Sequence, residues 1–250
     1  MRNTHPKRAG PWLCLAVLAA AALLALLLVV TSTTTRATSV VPAPQAHPLL
    51  PPAFVQSETQ VFTDDGFPAV DWDYWQGVNP DIIGWITVPG TAIDYAVVQA
   101  PTDNPTYYLD HDVFGRRNPY GCPYVDASCG GLTGFATYIF GHNMGVGDTM
   151  FSDFANYGNE GYAKEHTTIL IQTPTERLAL SLSAVDVVKG DDPTKRTDFA
   201  MQQELSSWYA ERFEQADVRI ELRPDATRLF VFVTCSYNYF SNERTLVYAN

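Results

Sequence analysis

The sequence predicts a mainly β domain, a closed barrel of about eight strands with a few short helices, preceded by one transmembrane helix. Three observations predict it. Several short runs rich in β-branched and aromatic residues are bounded by turn residues. Helical periodicity is clear in one segment of that domain only. An uncharged apolar run stands near the N-terminus.

The apolar run comes first along the chain. No Asp, Glu, Lys or Arg occurs from Ala9 to Thr35, and Trp12 to Val30 is nearly all Leu, Ala and Val. A helix of roughly 20 residues rises about 30 Å, the thickness of a bilayer's hydrocarbon core. Arg2, Lys7 and Arg8 precede it, which places the N-terminus on the cytoplasmic side and the rest outside. A cleaved signal peptide is the competing reading. The run is longer than the roughly 7–15 apolar residues of such peptides, and Thr31-Ser32-Thr33-Thr34-Thr35 is a weak cleavage site, so a retained signal-anchor is the preferred reading. Prolines at 42, 44, 48, 51 and 52 then favour an extended tether over 31–68.

The remaining chain is long enough for one domain with a real core. Apolar residues make up 46% of the sequence and charged ones 17%, which excludes a disordered polyelectrolyte. Net charge is −11, and beyond residue 36 only 12 basic side chains face 27 acidic ones. Nucleic-acid binding needs a basic face, and this balance argues against it.

Within the domain, Val70 to Trp75 reads as a short helix, stopped by Gly77 and Pro80. Ile82 to Val88 and Ile93 to Gln99 flank Pro89-Gly90 and form a hairpin. Further strands are expected at Phe135 to Gly141, Thr168 to Gln172, Leu178 to Val188, Leu229 to Cys235 and Thr245 to Tyr248. Met150 to Tyr157 has room for about two helical turns. Asp198 to Phe213 is the clearest helix, with Asp198 as N-cap and Phe199, Leu205, Trp208, Tyr209 and Phe213 as its apolar stripe.

The chemistry concentrates at strand ends. Cys235 closes the buried run Leu229-Phe230-Val231-Phe232-Val233-Thr234 and precedes Ser236-Tyr237-Asn238-Tyr239. Alone it reads equally as a core thiol. His142 likewise follows an apolar strand and enters Asn143-Met144-Gly145. Two strand ends, each presenting one member of a Cys/His pair, suit nucleophilic catalysis. Arg244, nine residues beyond Cys235, offers a permanent cation for a thiolate or an oxyanion. Thr234 is a weaker candidate for shaping the oxyanion site. His111 and His166 lack a strand-end setting and read as structural. Cys122 and Cys129 sit in a Gly-rich loop, Gly121-Cys122-Pro123 to Cys129-Gly130-Gly131, at a spacing that allows a loop disulfide; two free thiols or a metal pair are the alternatives. No phosphate-binding glycine loop or serine nucleophile elbow is present, and no cofactor or metal is expected.

Taken as an ordered set, Asn79-Pro80-Asp81-Ile82-Ile83-Gly84-Trp85-Ile86, Ile93 to Gln99, Asp103-Asn104 with Tyr107-Tyr108-Leu109, Gly141-His142-Asn143-Met144, Thr234-Cys235 and Glu243-Arg244 resemble the sortases, class B most closely. The helix at 198–213 matches the helix-bearing connection that class B members place before the cysteine strand. One departure is Val231-Phe232-Val233-Thr234-Cys235, which keeps only the last two positions of the family's Thr-Leu-x-Thr-Cys signature. The resemblance covers roughly 70–250 and implies an eight-stranded sortase barrel; with the residue reading above, the chain divides into a cytoplasmic segment 1–10, a membrane anchor 11–30, a linker 31–68 and this domain over 69–250. It implies catalytic Cys235, His142 and Arg244 in a transpeptidase. The enzyme would cleave an Asn-Pro-x-Thr-type sorting motif of a surface protein and pass the acyl group to an amine of a cell-wall precursor or pilin. A cysteine peptidase with water as acceptor and a non-catalytic, surface-tethered binding module are the alternatives.

Overall fold

The computed structural model describes residues 62–250, except Val146 and Phe240. The expected membrane span lies outside the described residues, as does the tether up to residue 61. Among the described residues no helix is long and apolar enough to cross a membrane. Residues 62–68 pack on the domain: Phe67 is buried, and Asp65 pairs with Arg177 at 2.7 Å.

Nine strands form one sheet: β1 Ile82–Thr87, β2 Asp94–Gln99, β3 Tyr124–Val125, β4 Ala136–Phe140, β5 Thr168–Gln172, β6 Arg177–Lys189, β7 Val218–Arg219, β8 Leu229–Cys235 and β9 Glu243–Ala249. Their order is β5-β1-β2-β3-β4-β8-β9-β6-β7, and pairing of β5 with β6 closes the first eight into a ring. β7 hangs on β6 outside that ring. Closure removes the exposed edges that an open sheet would have to protect. Two contacts are parallel, β2 with β3 and β4 with β8; the rest are antiparallel.

The expected hairpin is β1–β2, with Thr87 opposite Asp94. Its turn uses Gly90 at φ +81°, a conformation that glycine adopts at no steric cost. Strands β5 and β8 match their expected limits, and β9 starts two residues earlier than expected. β3 and β7 were not expected, because two residues are too few to show a period.

The strand β8 shows why the apolar runs are so dense. Phe230 and Phe232 point into the barrel, among Val125, Ile139, Phe151, Phe154 and Val247. Val231 and Val233 point outward into a second cluster with Tyr138, Leu205, Tyr209, Leu246 and Tyr248. A strand covered on both faces loses the apolar–polar alternation of a half-exposed one.

Three α-helices decorate the ring: α1 Trp72–Val78, α2 Glu160–Glu165 and α3 Gln202–Gln215. Asp71 caps α1 by accepting the Tyr74 N–H at 3.0 Å. Asp198 does not cap α3. Residues 198–201 stay outside the helix, so Phe199 reaches the core and meets Trp208 at 5.4 Å, while Asp198 faces Arg196 at 3.3 Å. The stretch expected to make two helical turns is a 3-10 helix over Asp153–Gly158. Phe151, Phe154 and Tyr157 are three residues apart and all fully buried, a repeat that suits three residues per turn.

The suggested Cys122–Cys129 disulfide is absent, and both thiols are free. Strand β3 runs between them and separates their surroundings. Cys122 is buried with Ile82, Trp85 and Tyr108, its Sγ 3.7 Å from the Ala96 carbonyl. Cys129 lies beside β4, where its sulfur accepts the Tyr138 N–H at 3.3 Å. Burial raises both thiols above their usual range.

A buried ionic group docks α3. Asp186 on β6 accepts the Tyr248 hydroxyl at 2.9 Å and lies 3.5 Å from the Arg212 guanidinium. Burial raises its carboxyl above the ordinary value; the Tyr248 hydroxyl and Arg212 oppose the shift. Asp186→Ala would leave Arg212 as an uncompensated, mostly buried charge, and a loss of about 3 kcal/mol in chemical denaturation is expected. Because the folded carboxyl holds its proton to higher pH than the unfolded one, the wild type should lose stability relative to Asp186→Asn as pH rises from about 3.8 through the folded value. Parallel denaturation of both proteins across that window measures the slope.

Candidate active site

Strand register assembles the site. In the antiparallel β8–β9 pair, Cys235 stands directly opposite Arg244. Opposed residues share a face, with Cβ atoms roughly 5 Å apart. Along the outer face, apolar packing ends at Val233 and Leu246; Cys235 and Arg244 come next and are both partly exposed.

The parallel β4–β8 pair places the histidine. Phe140 is level with Val233, and the Gly141 N–H continues the ladder onto the Val233 carbonyl at 3.1 Å. His142 follows Phe140 by two residues, as Cys235 follows Val233, so both emerge at the same end of neighbouring strands. The chain then loops out and returns, with the Phe151 N–H donating to the His142 carbonyl at 2.8 Å. The three residues selected from sequence thus converge at one rim.

The imidazole is held from outside the ladder. Its Nε2 lies 2.8 Å from the Leu109 carbonyl, which can only accept, so Nε2 carries a proton and Nδ1 faces away from that bond. Leu109 ends the 3-10 helix Tyr107–Leu109. Tyr108 anchors that turn: its hydroxyl accepts from Asn79 Nδ2 at 2.9 Å and donates to Asp81 at 2.7 Å. Asn79 and Asp81 belong to the resemblance motif, and this network is what they do in the fold.

Arg244 differs from its fellow cations. Among the described residues every Lys and Arg side chain except Lys189 and Arg244 pairs with a carboxylate. Its Nη1 donates to the Glu243 carbonyl at 2.9 Å, which orients the guanidinium without neutralising it. The charge stays available to an anion beside Cys235.

Two further groups surround the thiol. The Tyr237 phenol, two residues beyond Cys235, is pushed above its ordinary pKa by that neighbouring thiol first and by burial second, while Arg244 opposes the shift. Tyr124, whose own pKa burial raises with a smaller contribution from Cys235, stacks on Phe140 with ring centroids 5.5 Å apart. Neither is conspicuous in the sequence; proximity of Tyr237 to Cys235 was the only signal. Of the two ways in which Thr234 was expected to shape the oxyanion site, backbone or hydroxyl, the hydroxyl is turned away. Thr234 is buried on the interior face, opposite Thr245, and its hydroxyl has no hydrogen-bond partner among the described residues. Strand alternation turns this hydroxyl away from the sulfur. His111 and His166 act structurally, with Nδ1 on the carbonyls of Tyr107 and Tyr162, both at 2.9 Å.

No family model matches the chain. Sortase B of Listeria monocytogenes is 26% identical over 144 residues, 57% of each chain. Sortase B of Staphylococcus aureus is 25% identical over 176 residues, 68% of this chain and 69% of that one. Among solved structures, a Staphylococcus aureus sortase B–substrate complex superposes with a TM-score of 0.62 at 23% identity, covering 71% of this chain and 82% of that one. In sequence the chain is similar to class B sortases, and it shares their fold. The closed ring of eight strands is that of the sortase fold.

Gly121 secures the histidine's acceptor. It adopts φ +61°, and a Cβ there would lie 2.4 Å from the Tyr108 carbonyl oxygen and 2.9 Å from that of Leu109. Gly121→Ala should therefore displace the 3-10 turn and break the Leu109–His142 hydrogen bond. The expected outcome is a changed 15N shift at His142 Nε2 by NMR, with a stability loss of about 1–3 kcal/mol. An unchanged Nε2 resonance would show that Leu109 does not orient the ring.

Proposed function

We propose that the chain is a membrane-anchored cysteine transpeptidase. It cleaves a C-terminal sorting motif of the Asn-Pro-x-Thr type and joins the acyl group to an amine of a cell-wall precursor or a pilin. One observation carries the reading: a guanidinium without an acid partner faces Cys235 across the β8–β9 ladder, and His142 leaves the same end of the neighbouring strand two residues past its last pair. The family similarity supports this chemistry, and the solved sortase B–substrate complex supports a peptide substrate. The uncharged run 9–35, preceded by basic residues, supports a single span with the domain outside the cell.

In this mechanism the Cys235 thiolate attacks the scissile carbonyl carbon. The C–S bond forms and negative charge moves onto the carbonyl oxygen, where Arg244 stabilises it. The intermediate collapses, the C–N bond breaks, and His142 gives its Nδ1 proton to the departing amine. That leaves a thioacyl-enzyme and a neutral imidazole, with Nε2–H still on the Leu109 carbonyl. An incoming amine attacks the thioester carbon and passes its extra proton to Nδ1. The new amide leaves, and the thiolate and imidazolium are restored. A guanidinium keeps its proton throughout, which suits it to charge stabilisation rather than proton transfer.

The test uses sorting peptides with and without an added amine. Cys235→Ala should reduce turnover to background, His142→Ala should lose about 10²–10⁴-fold, and Arg244→Lys, which keeps charge but loses the planar fork, should lose about tenfold or more. Wild-type turnover in both Cys235→Ala and His142→Ala would overturn the assignment. A product formed only with water, whatever amine is added, would make the enzyme a peptidase. Failure of Cys235 to react with thiol-directed substrate mimics would favour a binding module.

A further inference from the structure

The connection between β8 and β9, residues 236–242, turns on a buried acid. Glu243, the first residue of β9, is fully buried. Its two carboxylate oxygens accept from successive backbone N–H groups of the connection, Asn238 at 3.0 Å and Tyr239 at 2.8 Å. Its main-chain carbonyl accepts from the Arg244 guanidinium at 2.9 Å and the Ser236 N–H at 3.3 Å. One residue thus touches both the loop after the nucleophile and the cation opposite it.

The loop needs such a hold. Tyr237 sits at φ +55° and Asn242 at φ +60°. A bulky residue in the left-handed region persists only where its surroundings enforce it. Tyr237 is 58% exposed, so packing does not enforce it. The enforcement comes from the next two residues, whose N–H groups converge on Glu243. Asn238 adds a bond from its Nδ2 to the Ala155 carbonyl at 3.0 Å. A fully buried strand end is a costly place for a carboxylate, and its hydrogen bonds to the loop are what it gains there.

We propose that Glu243 is a positioning residue: its carboxylate gathers the N–H groups of Asn238 and Tyr239 and so holds the loop that bears Tyr237 in one pose beside Cys235 before substrate arrives. The inference rests on the reading of Cys235 as the nucleophile. Glutamine is nearly isosteric but offers one acceptor oxygen, and its NH2 would confront one of the two N–H donors. Glu243→Gln therefore releases the loop while preserving volume. Tyr237 then no longer shields the sulfur in a fixed pose, and substrate must order the loop itself.

The experiment measures alkylation of Cys235 by iodoacetamide, located by mass spectrometry, in the wild type, Glu243→Gln, Tyr237→Ala and the double variant, beside kcat and KM for a sorting peptide. Glu243→Gln should alkylate about fivefold faster, as an unshielded thiol does, and should raise KM more than it lowers kcat. In the Tyr237→Ala background the same change should have no further effect, because the group being positioned is gone. Equal alkylation in wild type and Glu243→Gln, or an undiminished effect in the double variant, overturns the proposal. Should Glu243→Gln fail to fold, hydrogen exchange on the wild type decides: the Asn238 and Tyr239 amides should be protected about a hundredfold or more over the free-chain rate. Unprotected amides there overturn it. Alkylation and exchange need no transpeptidation, so a wild type without transpeptidase activity would refute the functional reading separately from this one.

Discussion

The register of β8 between β4 and β9 is the constraint on which the site depends. β8 pairs in parallel on one side and antiparallel on the other, and both of its faces are buried up to the last residue. A slip of one residue would send Phe230 and Phe232 outward and Val231 and Val233 inward. It would also turn Cys235 into the barrel and take it out of line with Arg244. The placement of the thiol is therefore enforced by core packing along the whole strand, not by local contacts at its end. The cation is placed by the same ladder, and the histidine leaves the adjoining strand two residues past the last paired one.

The strands carry the reactive groups to the rim, and other parts of the chain aim them. The Asn79–Tyr108–Asp81 hydrogen-bond network fixes a 3-10 turn whose final carbonyl holds the imidazole. On the opposite side Glu243 holds the loop that bears Tyr237. Both arrangements use backbone groups as the contact, so the residue type at Leu109, Asn238 or Tyr239 says little about the role. Electrostatics follows a similar division. The chain is strongly acidic, and its described cations are almost all matched to carboxylates, yet the one beside the thiol is held by a main-chain carbonyl instead.

Legibility in the sequence followed the length of the signal. Long runs such as Leu229 to Cys235 and the hairpin around Pro89-Gly90 declared themselves, because burial on one or both faces imposes a pattern over several residues. The two-residue strands β3 and β7 carried no pattern. Asp198 looked like a helix cap by residue type, yet Phe199 is drawn into the core ahead of the helix, and packing outweighed the capping preference. The spacing of Cys122 and Cys129 allowed a bridge that the intervening strand prevents. Thr234 was assigned by adjacency to Cys235, although neighbours along a strand face opposite ways.

By itself the sequence determined that a β-rich domain presents a Cys, a His and an Arg at or beside the ends of apolar runs, since hydrophobic burial and strand period are local properties of composition. The tertiary structure alone decided that these ends meet, that Arg244 faces the sulfur without an acid partner, and that the Leu109 carbonyl, Tyr237 and Glu243 complete the surroundings. Those relations arise from pairing between segments up to about a hundred residues apart, and no local pattern encodes which strand lies beside which.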